Sequence, residues 1–365
     1  MFDRPGKGLK DMPASIESNN LQRVGFLSCV PQLLKRFGVD PLEVLHEAGL
    51  NEDALDNPDG VIPYTTMGLI ATLAAQKTGC PHFGLEIGKH IDIAALGIIG
   101  ELMQNTPTLR GALHHFATHH HRHSHGGVVY LIENGPEAFF GYAIYQMNMV
   151  GHSVISDGAG LAAFNIVREL TGAPHSGVLG IVLSRSEPKT LKPYLRAFGM
   201  KPRFNAEQTA IVLPKSLLDQ PVAKADPALR KILERRILDS WHSGDLDTMT
   251  QLRRALRVGL LRGDVSAVGI SMQIGIGRRT LQRRLDALGF GFQDALDEAR
   301  CEFVKQLLAN TKLGIGEIGS IVGYADPSVL TRGFTRWVGM TPSEWRTNCE
   351  TWPGSTRLQR IDTHD

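Results

Sequence analysis

"GRRTLQRRL", Gly277–Leu285, and "GYADPSVLTRGFTRW", Gly323–Trp337, are the stretches on which the reading of this chain turns. In the first, Leu281, Leu285 and, just beyond it, Leu288 recur at i, i+4 and i+7. That spacing lines apolar side chains along one face of a helix. Arg279, Gln282 and Arg283 then point away from that face. In the second, Leu330, Phe334 and Trp337 make the inner stripe, Ser328, Thr331 and Arg332 the outer one, and Arg336 flanks them. A shorter amphipathic segment and a glycine precede each helix. They are Ile270, Ile274, Gly275 and Ile276 in one case, and Ile318, Val322, Gly323 and Tyr324 in the other. Helix, glycine turn, helix is the helix-turn-helix pattern. Its second helix packs across the first and leaves the opposite face free for a DNA major groove.

The outward residue types suit that role. Arginine pairs with guanine edges and glutamine with adenine edges, which makes Arg279, Gln282 and Arg283 candidate base readers. Arg278 and Arg284 sit where phosphate contact is expected, with Thr280 among them. "FQDALDEARCEFVKQLLAN" joins the two units. A helix of about 18 residues spans roughly 27 Å, and successive major grooves on one DNA face lie about 34 Å apart. Charge distribution agrees. The net charge is only +2, yet residues 252–348 carry fourteen Lys/Arg against nine Asp/Glu, and four of those cations fall within Arg278–Arg284. Local clusters of this kind attract a phosphate backbone.

Upstream the chain changes character. At 365 residues, 42% hydrophobic and 21% charged, it has material for about two globular domains. Residues 1–20 are polar and broken by Pro5, Gly6, Gly8 and Pro13, which predicts a disordered leader. From Leu21 to Gly79 the pattern is helical, with Gly38 as a stop and Asp40-Pro41 as cap and first turn. "NTPTLRGALHHF" predicts another helix, with Thr106 as N-cap and Pro107 first. "GVVYLIE" and "EAFFGYAIY", separated by "NGP", predict a β-hairpin. After a helix through "GLAAFNIVREL", "GVLGIVLS" and "TAIVLP" add strands. "DQPVAKADP" marks a boundary near residue 225, beyond which everything reads as helix. The fold expected is an α+β N-terminal regulatory domain followed by an all-α domain with two helix-turn-helix units joined by a linker helix.

Residues 255–346 resemble the DNA-binding domain of the AraC/XylS transcription regulators. "RRTLQRRLDALGFGFQDALDEAR" and "IGSIVGYADPSVLTRGFTRWVGMTPSEWR" carry the resemblance, with the helix between them. It implies base-facing positions at Arg279, Gln282 and Arg283, then at Ser328, Thr331 and Arg332. Residues 24–228 are similar to the N-terminal domain of the VirS/OruR-type members, an arabinose-binding-like domain that senses an effector or mediates association. "GLEIGKHIDIAALGIIGELMQNTPTLRGAL" and "LKPYLRAFGMKPRFNAEQTAIVLPKSLLDQPV" carry that similarity. Together they imply a cytoplasmic, sequence-specific regulator, most often an activator, with no cofactor. Its partners would be double-stranded DNA, a small-molecule effector, RNA polymerase and, if it associates, a second copy; no membrane is involved. The division implied is a leader over 1–20, an effector-binding or association domain over 21–225, and a linker helix over 226–254. The DNA-binding domain covers 255–348 and a flexible tail 349–365. The chain departs from the family at four positions. Gly277 stands where Ser or Thr usually precedes the first recognition helix, Ser271 and Gly319 stand at the helix crossings, and Gly333 replaces a frequent alanine.

One further motif competes for attention. "HHFATHHHRHSH", His114–His125, holds seven of the fourteen histidines. At helical spacing His115 and His119 pair at i, i+4 and His123 drifts off, whereas zinc needs three or four convergent ligands. A histidine-rich helix face is the plainer account, and a metal-responsive regulator using His115, His119 and His123 is the alternative. An enzyme with an appended DNA-binding domain, using the histidines or Cys29 and Cys80, would need a catalytic constellation. "GHSVI" misses the nucleophile-elbow template at Ile155. "GIGEIG" fits Gly-x-Gly-x-x-Gly, but no strand precedes it. Glu317 and Asp326 read as solvated surface charges. The four scattered cysteines form no Cys-x-x-Cys pair, which fits a reducing compartment.

Overall fold

The computed structural model describes residues 20–146, 149–172, 177–223, 225–239 and 247–351. The leader expected over 1–20, apart from Asn20, and most of the tail expected over 349–365 lie outside the described residues.

The N-terminal half opens with β1 (Leu21–Arg23), then α1 (Val30–Arg36), which stops at Gly38 with φ 75°, and α2 (Pro41–Glu47). Asp40 caps α2 by accepting the Leu42 amide at 3.0 Å. β2 (Val61–Pro63) pairs antiparallel with β1. The all-helical reading of residues 21–79 is therefore corrected. Strands of three residues are too short to show a period of two, and they are held by non-local bonds such as Arg23 N–H to the His123 carbonyl at 2.8 Å. Helices α3 (Tyr64–Lys77), α4 (Phe83–Gly88), α5 (Ile98–Gln104) and α6 (Leu109–His119) follow. The cap of α6 lies two residues beyond the expected one. Thr108 Oγ1 accepts the Gly111 amide at 3.3 Å, while Thr106 is buried and its hydroxyl donates to the Leu102 carbonyl at 2.7 Å, finishing α5.

β3 (Gly127–Asn134) and β4 (Glu137–Ile144) form the expected hairpin, turning at Gly135 with φ 57°. α7 (His152–Thr171) begins earlier than its most apolar stretch suggested, and β5 shrinks to Gly180–Val182. α8 (Lys192–Phe198) and β6 (Thr209–Pro214) complete an antiparallel sheet of order β3-β4-β6-β5. Both sheet faces are apolar, which is why the strands read as nearly continuous hydrophobic runs. One face, with Val129, Ala138 and Phe140, packs on Leu113, Phe116 and Ile166 of α6 and α7. The other, with Val128, Tyr130, Ala143, Val182 and Ala210, receives Val258 from the C-terminal half.

The linker helix expected over 226–254 is two helices. α9 (Pro227–Asp239) lays Leu233 and Ile237 against Leu102 of α5. α10 (Thr248–Arg262) starts afresh at Asp247, whose carboxylate accepts the Met249 and Thr250 amides at 2.8 and 3.0 Å. Then come α11 (Ala267–Ile274), α12 (Arg278–Ala287), α13 (Phe292–Asn310), α14 (Ile315–Ile321), α15 (Pro327–Val338) and α16 (Pro342–Thr351). The first residues of the expected tail are thus helical. Leu252 and Leu256 of α10 share a core with Leu281, Leu285, Phe303, Leu307, Leu330 and Phe334.

Neither Gly319, at a helix crossing, nor Gly333, within α15, is needed for space. A Cβ at Gly319 would sit 3.7 Å from Pro327 Cα, and one at Gly333 3.5 Å from the Trp337 ring. Both distances are ordinary contacts, and neither residue has positive φ. Glycine inside a helix costs roughly 0.5–1 kcal/mol relative to alanine. Gly319→Ala and Gly333→Ala should each stabilise the C-terminal half by about that amount in denaturant titrations, and a loss of stability would show that the crossing cannot take a methyl group.

The histidine run continues α6 into a 3-10 turn, His120–Arg122, that feeds β3. His120 and His123 are buried. Burial, aided by the Arg23 charge, pushes His123 down to about 4. Its folded value lies below the unfolded one near 6.5, so the unfolded chain binds more protons between those limits. The resulting stability is present above pH 6.5 and is lost as pH falls toward 4. His123→Gln should therefore flatten the fall of the unfolding midpoint between pH 6.5 and 4, measured by calorimetry. An unchanged slope would remove His123 from the account.

Candidate nucleic-acid interface

In the first unit Ser266 caps α11 by accepting the Gly269 amide at 3.0 Å. Gly275, at φ 77°, makes the turn, and Ile276 N–H closes it on the Ser271 carbonyl at 3.1 Å. α12 starts at Gly277 without a side-chain cap. Leu281 and Leu285 are buried as the spacing predicts, but Leu288 is 54% exposed. The helix ends at Ala287, so Leu288 leaves the apolar face. Arg278, Arg279, Gln282, Arg283 and Arg284 are all exposed, and Thr280 is half-buried. Gln282 Nε2 donates to Asp286 Oδ1 at 2.8 Å. Arg284 reaches back to Thr248 Oγ1 at 3.3 Å, toward the start of α10.

The second unit repeats the plan. Gly314 N–H donates to Glu317 Oε2 at 2.6 Å, so Glu317, an exposed surface charge, also caps the start of α14 from its third position. The nucleotide-like glycines thus open a helix that no strand precedes. Gly323, at φ 88°, makes the turn. Asp326 caps α15 by accepting the Ser328 amide at 2.8 Å and its hydroxyl at 2.7 Å, and these bonds hold its carboxyl below the usual range. Leu330 and Phe334 are fully buried and Trp337 partly so. Ser328 and Arg332 are exposed and Thr331 half-buried. Thr331 Oγ1 donates to the Pro327 carbonyl at 3.2 Å, and Arg332 Nη1 to Ser328 Oγ at 3.3 Å. Arg336, 72% exposed, pairs with Asp297 of α13 at 3.3 Å. Arg300 of α13 lies 5.0 Å from the Tyr324 ring centroid and donates to the Val322 carbonyl at 3.2 Å, pinning α13 to the second unit.

The competing sites fare differently. The His115 and His119 rings stack at 6.1 Å and His115 Nε2 lies 3.9 Å from Glu234 Oε1. His123 is elsewhere, tilted against Phe26 at 5.5 Å. Among the described residues no three His, Cys, Asp or Glu are grouped to hold a metal. Burial pushes the Cys29 thiol up to about 11 and raises Cys80 as well, the reverse of an activated nucleophile. A buried cluster, in which Arg185 Nη1 and Tyr194 Oη both donate to Asp157 Oδ2, lies between α7 and α8. No described helix is long and apolar enough to cross a membrane.

Sequence reading missed Arg254 and Arg257, placed by it in or beside a linker. Both are buried, at 9% and 5% exposure. Arg254 Nη1 donates to the carbonyls of Ser124 at 3.2 Å and Gly127 at 3.0 Å. Arg257 lies 3.3 Å from the Phe303 ring centroid and donates to Gln306 Oε1 at 3.2 Å. The signal available was "LRRALR", in which Arg253 and Arg257 at i, i+4 and Arg254 interleave with the buried Leu252 and Leu256.

Comparison with known proteins agrees with this architecture. Residues 38–222 match the family model described as the arabinose-binding domain of AraC transcription regulators, N-terminal, and residues 270–348 match a helix-turn-helix domain. The chain is 25% identical over 333 residues to the transcriptional regulator VirS of Mycobacterium tuberculosis, covering 91% of this chain and 98% of VirS. It is 26% identical over 332 residues to the ornithine utilization regulator of Pseudomonas aeruginosa, covering 88% and 95% respectively. Among solved structures, the transcriptional regulator CdpR from Pseudomonas aeruginosa aligns over 88% of this chain and 98% of its own, at 19% identity and a TM-score of 0.40. The chain belongs to the AraC family of transcription regulators, with an arabinose-binding-type ligand-binding domain ahead of a DNA-binding helix-turn-helix region.

Proposed function

We propose that α12 and α15 are the two recognition helices of a transcription activator. Arg279, Gln282 and Arg283 read base edges in one major groove, and Ser328, Thr331 and Arg332 read them in the next. Arg278, Thr280, Arg284 and Arg336 hold phosphates. The observation that carries this reading is the split of each helix into a buried apolar face, Leu281 with Leu285 and Leu330 with Phe334, and an exposed polar face bearing the candidate readers. Arg284 and Arg336 lean back toward α10 and α13, a direction that suits the backbone beside a groove better than its floor.

The proposed division follows the physical joints. The effector-binding domain runs from about residue 21 through α9, and the DNA-binding domain from Asp247 through α16. Control passes from the first to the second through a small molecule or through association of two copies, and activation requires contact with RNA polymerase. A dimer would gain affinity through effective concentration alone.

Selection of duplexes from a random pool by the full chain should return a defined sequence. On that duplex Arg283→Ala should lower specific affinity by about 1–3 kcal/mol and relax preference at one base pair. Unaltered affinity and preference would remove Arg283 from the readers. Arg284→Ala should instead weaken all duplexes similarly and reduce the salt slope by about 1; an altered base preference would contradict the phosphate assignment.

A further inference from the structure

A cavity of about 120 Å³ lies in the N-terminal half between the helices and the sheet, bounded by Met67, Ile87, Phe116, His120, Phe140 and Tyr142 among others. Its wall is almost wholly apolar side chain. An engineered cavity of about 150 Å³ lined by Leu, Ile and Phe stays dry and takes benzene, so the space here suits one small ring. The polar groups at its edge are mostly spoken for. Tyr142 Oη shares a hydrogen bond with Tyr64 Oη at 2.7 Å, and Gln22 Nε2 donates to the Arg23 carbonyl at 3.0 Å. His120 is the exception. It is 3% exposed, its ring meets Phe116 and Tyr142 edge-on, and its Nδ1 has no hydrogen-bond partner.

The same turn reaches the other half of the molecule. Ser124 N–H donates to the His120 carbonyl at 3.1 Å, and Ser124 Oγ lies 3.5 Å from Tyr142 Oη. The carbonyls of Ser124 and Gly127 in turn hold Arg254 of α10. One short segment, 120–127, therefore carries the wall residue His120 and touches both the wall residue Tyr142 and the buried cation of the DNA-binding half.

We infer that this cavity is the effector site, that it takes an uncharged, largely apolar molecule about the size of a single aromatic ring with at most one hydrogen-bonding group, and that the turn 120–127 relays its presence to α10. A sugar is disfavoured because the wall would strand its hydroxyls without partners. The single polar group would meet His120. An occupant pressing on His120 and Tyr142 favours one position of the turn, and so one setting of Arg254; that differential contact is what coupling requires. The inference rests on the regulator reading, so its test must report on the cavity and on DNA binding separately.

Toluene serves as the probe, with L-arabinose as the polar control, on the full chain and its selected duplex. Toluene at about ten times its Kd should raise the unfolding midpoint by about 2–4 °C and change duplex affinity severalfold, and arabinose should do neither. Ala162→Leu, on the cavity wall, should abolish both effects. Ala159→Leu, also on the wall and only half-buried, replaces it if the first variant fails to fold. Arg254→Lys should keep the midpoint rise and lose most of the affinity change. Duplex binding with no toluene shift overturns the cavity assignment and leaves the regulator reading intact. A shift that survives in the folded leucine variants places the probe elsewhere and overturns the assignment too. A shift with unchanged duplex affinity overturns the relay. Failure to bind any duplex overturns the regulator reading, while the midpoint shift still decides for or against the cavity.

Discussion

Arg254 is a cation with only 9% of its surface exposed, and in the N-terminal half it donates to the backbone carbonyls of Ser124 and Gly127. Taking such a charge out of water costs several kcal/mol unless hydrogen bonds replace the lost hydration. The guanidinium can stay buried only while the turn before β3 and the start of α10 hold their present places. Val258 adds apolar contact one turn further along α10, against the outer sheet face. Arg257, spread over Phe303, ties the same helix to α13. α10 therefore belongs to two cores at once, and a shift in either half is felt in the other.

That arrangement explains why a helix beginning at Asp247 matters more than an anonymous connector would. Its Leu252 and Leu256 complete the core beneath α12 and α13, while Arg254 bonds the turn of the N-terminal half. Burying each leucine contributes about 1.5–3 kcal/mol, enough to keep α10 with the DNA-binding bundle even if its grip on the sheet loosens.

The proposed reading surfaces are arranged with similar economy. Several polar side chains on α12 and α15 are already engaged with local partners, Gln282 with Asp286, Ser328 with Asp326 and Arg332 with Ser328. Exposed bonds of this kind are worth little in water and exchange readily for bonds to bases. They also hold the side chains near a defined direction, so less rotamer freedom is lost on contact. Arg279 and Arg283 carry no such tether among the described residues and remain the freer probes.

The sequence alone settled what depends on local periodicity and chemistry. The leucine and aromatic stripes of α12 and α15 follow from a period of 3.6 residues, the glycine turns from positive φ at Gly275 and Gly323, and the β3–β4 hairpin from two apolar runs around a turn. The α+β division of the N-terminal half is legible for the same reason, and the family resemblance rests on the long residue blocks around α12 and α15. Tertiary structure decided what depends on residues far apart. Strands β1 and β2 exist because distant backbone partners hold them, Leu288 is exposed because its helix stops one residue short, and the interval 226–254 is two helices because one docks on α5 and the other on the sheet. The histidine run shows the contrast most plainly. Its spacing described a helix face, whereas three-dimensional packing buried His120 beside a cavity and turned the backbone of the same segment toward Arg254. No local pattern encodes a carbonyl's distance from a guanidinium 130 residues away, because that distance is set by how the sheet, the turn and α10 pack together.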